Sequence, residues 1–134
     1  AKTRLVGVEP EVIAKYNVVS APVAARMALG AAAASGSDIA VSVTGVAGPT
    51  GGDEVRPVGT VYLGAARGDT VYVQKLFVSR PDRALVRARA AQAALALALR
   101  LAQGKVPAHT KPLAASEQHS AAALDALNEA FLAE

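Results

Sequence analysis

Thr44-Gly45-Val46-Ala47-Gly48-Pro49-Thr50-Gly51-Gly52 is the stretch of this 134-residue sequence whose residue types most readily do chemistry. Gly45, Gly48, Gly51 and Gly52 let main-chain N–H groups approach a ligand and point at an anion with no side chain in the way. Thr44 would set a hydroxyl at the same mouth. No Gly-Lys-Ser/Thr closes the loop, so it is not a P-loop, and its glycine spacing is not that of a dinucleotide fingerprint. From these residues alone, a ligand loop and a plain structural turn are both open.

A second signal is basic. Arg80, Arg83 and Arg87 recur at spacings of three and four, with Arg89 nearby and Asp82 as the only local acid. Cations at the start of a helix oppose its macrodipole and repel one another, a cost that a bound phosphate would offset. A solvated helix face is the alternative, and it also stays open. Other features carry less. Arg67-Gly68-Asp69 is what a hairpin turn needs, not an adhesion motif. His109 and His119 lack a carboxylate at metal-ligand spacing and are expected to be exposed and idle. None of the serines stands in a Gly-x-Ser-x-Gly setting, and the absence of cysteine excludes disulfides, zinc–thiolate sites and thiol catalysis.

The elements that must position these residues can be read from periodicity. Residues 39–44 are short, β-branched and small on both faces, as in a strand covered by helices on both sides, and they run straight into the glycine loop. Residues 59–66 and 70–78 read as a hairpin. Residues 9–16 read as a short helix with Pro10 in its first turn. Ser20 caps a second helix with Val23, Met27, Gly30 and Ala31 as its apolar stripe, ended by Gly36. A long helix runs from Pro81-Asp82 to Gln103, stopped by Gly104 and Pro107. Residues 106–116 hold two prolines and few large apolar side chains, so they read as linker. Ser120 then caps a last helix striped with Leu124, Leu127, Phe131 and Leu132. It is too short to stand alone in water and must dock on the domain, another subunit or a partner. The expected plan is a domain over 1–104, a linker over 105–119 and a docking helix over 120–134.

Hydrophobic residues make up 52% of the chain, enough for a packed core, and aromatics only 4%, so helices should pack through small side chains. A net charge of +3 without a block of like charges gives no reason to expect nucleic acid. No apolar run approaches the roughly 20 residues of a membrane span, and no signal peptide is present, so a cytoplasmic location is expected.

Four stretches taken together resemble the CinA C-terminal family, the competence/damage-inducible and PncC-like nicotinamide-nucleotide amidohydrolases. They are Ala1-Lys2-Thr3-Arg4-Leu5-Val6-Gly7-Val8; Val18-Val19-Ser20 through Met27-Ala28-Leu29-Gly30; the glycine loop with Arg56-Pro57-Val58-Gly59-Thr60-Val61-Tyr62; and Asp82-Arg83-Ala84-Leu85-Val86-Arg87. The resemblance covers residues 1 to about 103. It implies an α/β fold, a three-layer α/β/α sandwich around a mixed sheet, and hydrolysis of nicotinamide mononucleotide to nicotinate mononucleotide and ammonia. It implies Lys2 as base or orienter, and Thr44 with the loop glycines holding the oxyanion or the phosphate. Arg83 and Arg87 would bind phosphate, so Lys2, Thr44, Arg83 and Arg87 are expected in one pocket. A small-molecule nucleotide is the expected partner, with no cofactor, metal, membrane or nucleic acid, in a homo-oligomer. The family's nucleophile lies in an Ala-Glu-Ser-x-Thr-Gly-Gly segment that these 134 residues do not contain. Since Ala1-Lys2 falls inside a family motif, the expectation is a fragment, lacking the family's first helix and strand and inactive alone. The rival expectation is a non-catalytic module that binds a partner through the last helix.

Overall fold

The computed structural model describes residues 8–48, 50–79 and 82–133. Its helices begin where a side chain can serve an unpaired backbone amide. Helix α1 (Pro10–Tyr16) has Pro10 at its start. Ser20 Oγ accepts from the Val23 amide at 3.4 Å to cap α2 (Ala21–Ser35), and Gly36, at φ 68°, ends it. Asp82 caps α3 (Arg83–Ala102), accepting from the Leu85 amide at 2.8 Å. Ser120 caps α4 (Ala121–Leu132), accepting from Ala123 at 3.2 Å.

Four strands, β1 (Ile39–Gly45), β2 (Thr60–Arg67), β3 (Thr70–Phe77) and β4 (Lys111–Ala114), lie in the order β1-β2-β3-β4. Gly68, at φ 62°, makes the tight turn between β2 and β3, where Arg67 pairs with Thr70. Alternation along β2 divides the core into two layers. Tyr62 and Ala66 face α2 and α4, with Val71, Val73 and Leu113 beside them. Val61, Leu63 and Ala65 face Val86, Ala90, Leu97 and Leu101 of α3. The α/β class and the three-layer α/β/α build are those the sequence led us to expect. The pairs β1–β2, β2–β3 and β3–β4 are antiparallel.

Three local expectations change. The strand buried on both faces is β2, which has a neighbour on each side. Strand β1 is covered by helices on both sides as expected, α2 on one and α3 on the other, but it lies at the edge of the described sheet and is only half-buried. The core-facing stripe of α2 is Ala21, Ala24, Ala25, Ala28 and Leu29, while Met27, Gly30 and Ala31 are only partly buried. Small residues win this face because the helix lies almost on the sheet. A methyl on Gly64 would meet the Ala24 carbonyl oxygen at 2.4 Å, and Ser42 Oγ, on the facing strand, donates to that same carbonyl at 2.6 Å.

The third change concerns 105–119, which is not a free linker. It contains β4, whose Leu113 is buried and whose Lys111–Ala114 segment pairs with β3. Pro112 is tolerated because β4 is an edge strand. Helix α4 docks on the chain's own core. Leu124, Leu127 and Phe131 are buried, Phe131 standing edge-on to Tyr62 at 5.7 Å between ring centroids, whereas Leu132 is exposed.

Polar contacts fasten the same helix. The Tyr16 hydroxyl donates to Asp125, and Lys15 Nζ lies 3.1 Å from that carboxylate. The Tyr16 hydrogen bond, then Lys15, holds the Asp125 carboxyl below its usual range, while burial first and Asp125 second push the Tyr16 phenol up. Arg26, buried in α2, donates from Nη2 to Glu9 at 2.7 Å and from Nη1 to the Gln118 carbonyl at 3.4 Å. The Arg26 hydrogen bond holds the Glu9 carboxyl down.

Candidate functional site

The chain leaves β1 at Gly45 and returns to β2 only at Thr60, and the excursion between them is tied shut. The Val46 amide donates to Thr60 at 2.9 Å, and the Gly59 amide donates to Val46 at 2.8 Å. Gly48 (φ 89°) and Gly51 (φ 101°) hold backbone turns that an L side chain resists. Gly52 lets the two arms of the loop touch, since a methyl there would lie 2.5 Å from the Val58 nitrogen. The loop therefore stands at the carboxyl end of β1, where ligand crevices of open α/β sheets form.

Opposite the loop is the non-helical link between α1 and α2. Asn17 adopts φ 79°, and its side-chain oxygen accepts from the Val19 amide at 3.0 Å. Between the two walls lies a cleft of about 320 Å³, at the small end of the range of about 300–1,000 Å³ usual for small-molecule sites. Asn17, Val18 and Val19 line one side, and Gly45 to Gly48, Thr50, Gly51 and Asp53 the other, with Arg56 and Arg83 between them. A larger hollow of about 580 Å³ lies between the end of α2 and the hairpin turn, lined by Leu29, Asp38, Arg67 and Gln118 among others. It contains none of the glycine-loop residues. The smaller cleft is the better candidate because glycine backbone free of side chains and two cations meet there.

The expected site residues divide. Gly45, Gly48, Gly51 and Arg83 are brought together, with Arg83 Nη1 lying 3.5 Å from the Gly48 carbonyl, at the long end for a hydrogen bond. Gly52 shapes the loop without lining the cleft. Thr44 stands just behind the wall: its hydroxyl donates to the Val18 carbonyl at 2.8 Å, so it braces the lining without forming part of it. Arg87 is exposed and outside the cleft. Four residues along a helix at about 1.5 Å each carry it about 6 Å beyond Arg83, away from the loop. Lys2 and Arg80 lie outside the described residues. Of the four residues expected in one pocket, Arg83 lines the cleft, Thr44 stands behind its wall, Arg87 lies outside it and Lys2 falls outside the described residues.

Arg56 is the residue that reasoning from types and spacing missed. It stands alone in a loop, with no second cation beside it to mark a cluster. The usable signal was Asp53 three residues earlier, whose carboxylate accepts from the amides of Val55 at 2.9 Å and Arg56 at 2.7 Å. Both histidines are exposed, and among the described residues no group of acidic or histidine side chains could hold a metal ion. No described helix is long and apolar enough to cross a membrane.

An α/β/α domain with a glycine-loop cleft at the end of its first strand is what the fold and the site define. The sequence pattern of the CinA C-terminal domain matches residues 1–102, and the chain belongs to that family. A CinA-like protein of Geobacter sp. (strain M21) is 52% identical over 87 residues, which is 65% of this chain and 21% of that protein. The nicotinamide-nucleotide amidohydrolase PncC of Escherichia coli (strain K12) is 43% identical over 97 residues, 71% of this chain and 58% of that protein. The crystal structure of a competence-damaged protein (CinA) superfamily protein from Escherichia coli superposes with a TM-score of 0.68 at 33% identity. That superposition covers 75% of this chain and 58% of the other. The chain spans about a fifth to a quarter of the length of the CinA-like and competence-damage relatives it matches.

Proposed function

We propose that this protein hydrolyses the amide of nicotinamide mononucleotide to nicotinate mononucleotide and ammonia. The observation that carries the reading is the cleft: a glycine loop and Arg83 meet at the carboxyl end of a strand, in the size range of small-molecule sites. Likeness to the amidohydrolase of Escherichia coli supports it. In this reading the loop amides and Arg83 hold the phosphate or the developing oxyanion by charge-assisted hydrogen bonds. Lys2 acts as base toward a serine. The serine oxygen adds to the amide carbon, ammonia leaves with the proton passed back, and water cleaves the resulting ester.

No serine, cysteine or lysine lines the described cleft. The described residues accordingly supply the binding half of the reaction, and turnover requires the family's serine segment. Against the partner-binding alternative, Leu124, Leu127 and Phe131 of α4 pack on the chain's own core, and of that stripe Leu132 stays exposed.

The test is ammonia release from nicotinamide mononucleotide by the protein as its gene encodes it, beside Lys2→Ala. Release by the wild type and loss of it in the variant are expected. A polypeptide of these 134 residues alone should release none, because a nucleophile and its base act as a unit. Absence of both turnover and calorimetric binding in the gene-encoded protein would remove the reading.

A further inference from the structure

We propose that Arg56 is a positioning residue that sets the width of the cleft. Four successive carbonyls form the inner edge of the link between α1 and α2, and each accepts from a side chain. Tyr16 accepts from Arg56 Nη2 at 2.8 Å, Asn17 from Ser20 Oγ at 2.8 Å, Val18 from Thr44 Oγ1 at 2.8 Å, and Val19 from Arg56 Nε. Ser20 belongs to the link itself and Thr44 to the strand beside it. Arg56 alone reaches in from the far arm of the glycine loop, and it takes two of the four.

The geometry suits arginine specifically. A guanidinium presents donors in a rigid planar fork, so Nε and Nη2 can hold two carbonyls at a fixed separation, where an ammonium offers a point charge without that spacing. The fork is itself held from behind by the turn that Asp53 closes, whose amide donates back to the Arg56 carbonyl at 3.0 Å. The Tyr16 carbonyl it grips belongs to the residue whose hydroxyl is fastened to Asp125. One rigid path thus runs from α4 through Tyr16 and Arg56 into the glycine loop, and both cleft walls are fixed to it. Arg56 borders the cleft on one side and, on the other, a separate hollow lined by Ile13 to Val18, so with Asn17 and Val18 it forms the partition between them.

The effect on cleft geometry does not depend on the proposed reaction; the effect on turnover rests on it. Amide hydrogen exchange and nicotinamide mononucleotide kinetics on the gene-encoded protein test the two separately, with Arg56→Lys and Arg56→Ala. In Arg56→Ala, exchange at residues 17–20 and 46–52 should quicken about tenfold or more, as expected for losing two charge-assisted bonds, while Val61, Val71 and Val73 in the sheet keep their protection. KM should rise about tenfold with a smaller change in kcat, and Arg56→Lys should recover only part of it. Unchanged exchange at 17–20 in the alanine variant overturns the proposal, and so does full recovery by lysine. If Arg56→Ala fails to fold, Arg56→Lys carries the test, with faster exchange in both segments expected. A wild type that does not turn over the nucleotide, yet shows the exchange pattern, sinks the proposed reaction and leaves the positioning role standing.

Discussion

Replacing Phe131 by alanine tests whether the C-terminal helix is part of the core or an accessory to it. The ring is buried at 2% exposure and stands edge-on to Tyr62, itself in the central strand. Truncating a buried Phe costs about 3–5 kcal/mol, and an aromatic pair of this geometry adds about 0.5–1.5 kcal/mol. The sum is a ceiling, because α4 is the last helix of the described chain. Once its docking free energy is gone the helix frays, and nothing further can be lost through this residue. The expected result is therefore a loss of about 3 kcal/mol, or a smaller loss with a reduced denaturant slope as α4 exposes its surface before the rest. Urea unfolding followed by circular dichroism reads both quantities. Leu132→Ala, one residue on and exposed, should stay within about 0.5 kcal/mol of wild type. A Phe131→Ala protein within about 1 kcal/mol of wild type, with an unchanged slope, would refute the claim that one core spans the chain.

Gly64→Ala should cost about 1–3 kcal/mol or more, because its methyl would meet backbone at 2.4 Å, where no side chain can swing away; thermal unfolding measures it, and a neutral result would show that α2 can lift. Asp125 and Glu9 have folded pKa values held below their ordinary 3.8 and 4.5. Their contribution to stability is therefore complete above those values and is lost as pH falls through the lower folded ones. Stability should decline on acidification below about pH 4.5, and Asp125→Asn with Glu9→Gln should flatten that decline in pH-dependent unfolding. Arg83→Ala should raise KM for nicotinamide mononucleotide about tenfold or more, as for a lost charge-assisted contact. Arg87→Ala should barely move it, and steady-state kinetics on both variants would expose a reversed order.

Local signals in the sequence were legible where one residue decides the local geometry. Ser20 and Ser120 marked helix starts, Gly36 an end and Gly68 a turn, because capping and positive φ are properties of a few residue types. The glycine loop at the end of β1 was legible for the same reason. What the sequence concealed depends on long-range pairing. Pro112 made residues 111–114 look like loop, yet an edge strand needs only one row of hydrogen bonds, and β3 supplies it. Nothing local says that Ala24 approaches Gly64, or that a lone Arg56 reaches back to carbonyls 37 and 40 residues earlier. Arg87 shares a helix face with Arg83 but lies outside the cleft, because spacing reports a shared face and not a position along the axis.

The family pattern ends at Ala102, but the hydrophobic interior does not. A recombination point placed there would transfer the α3 layer whole. The opposite layer would arrive without its roof, leaving Tyr62, Val71 and Val73 without Leu113, Leu124, Leu127 and Phe131 over them. The unit that shuffling could move intact thus extends past the stretch that likeness delimits, to at least the end of α4. For this chain, modularity is set by which side chains share a core, and the last thirty or so residues belong to the module.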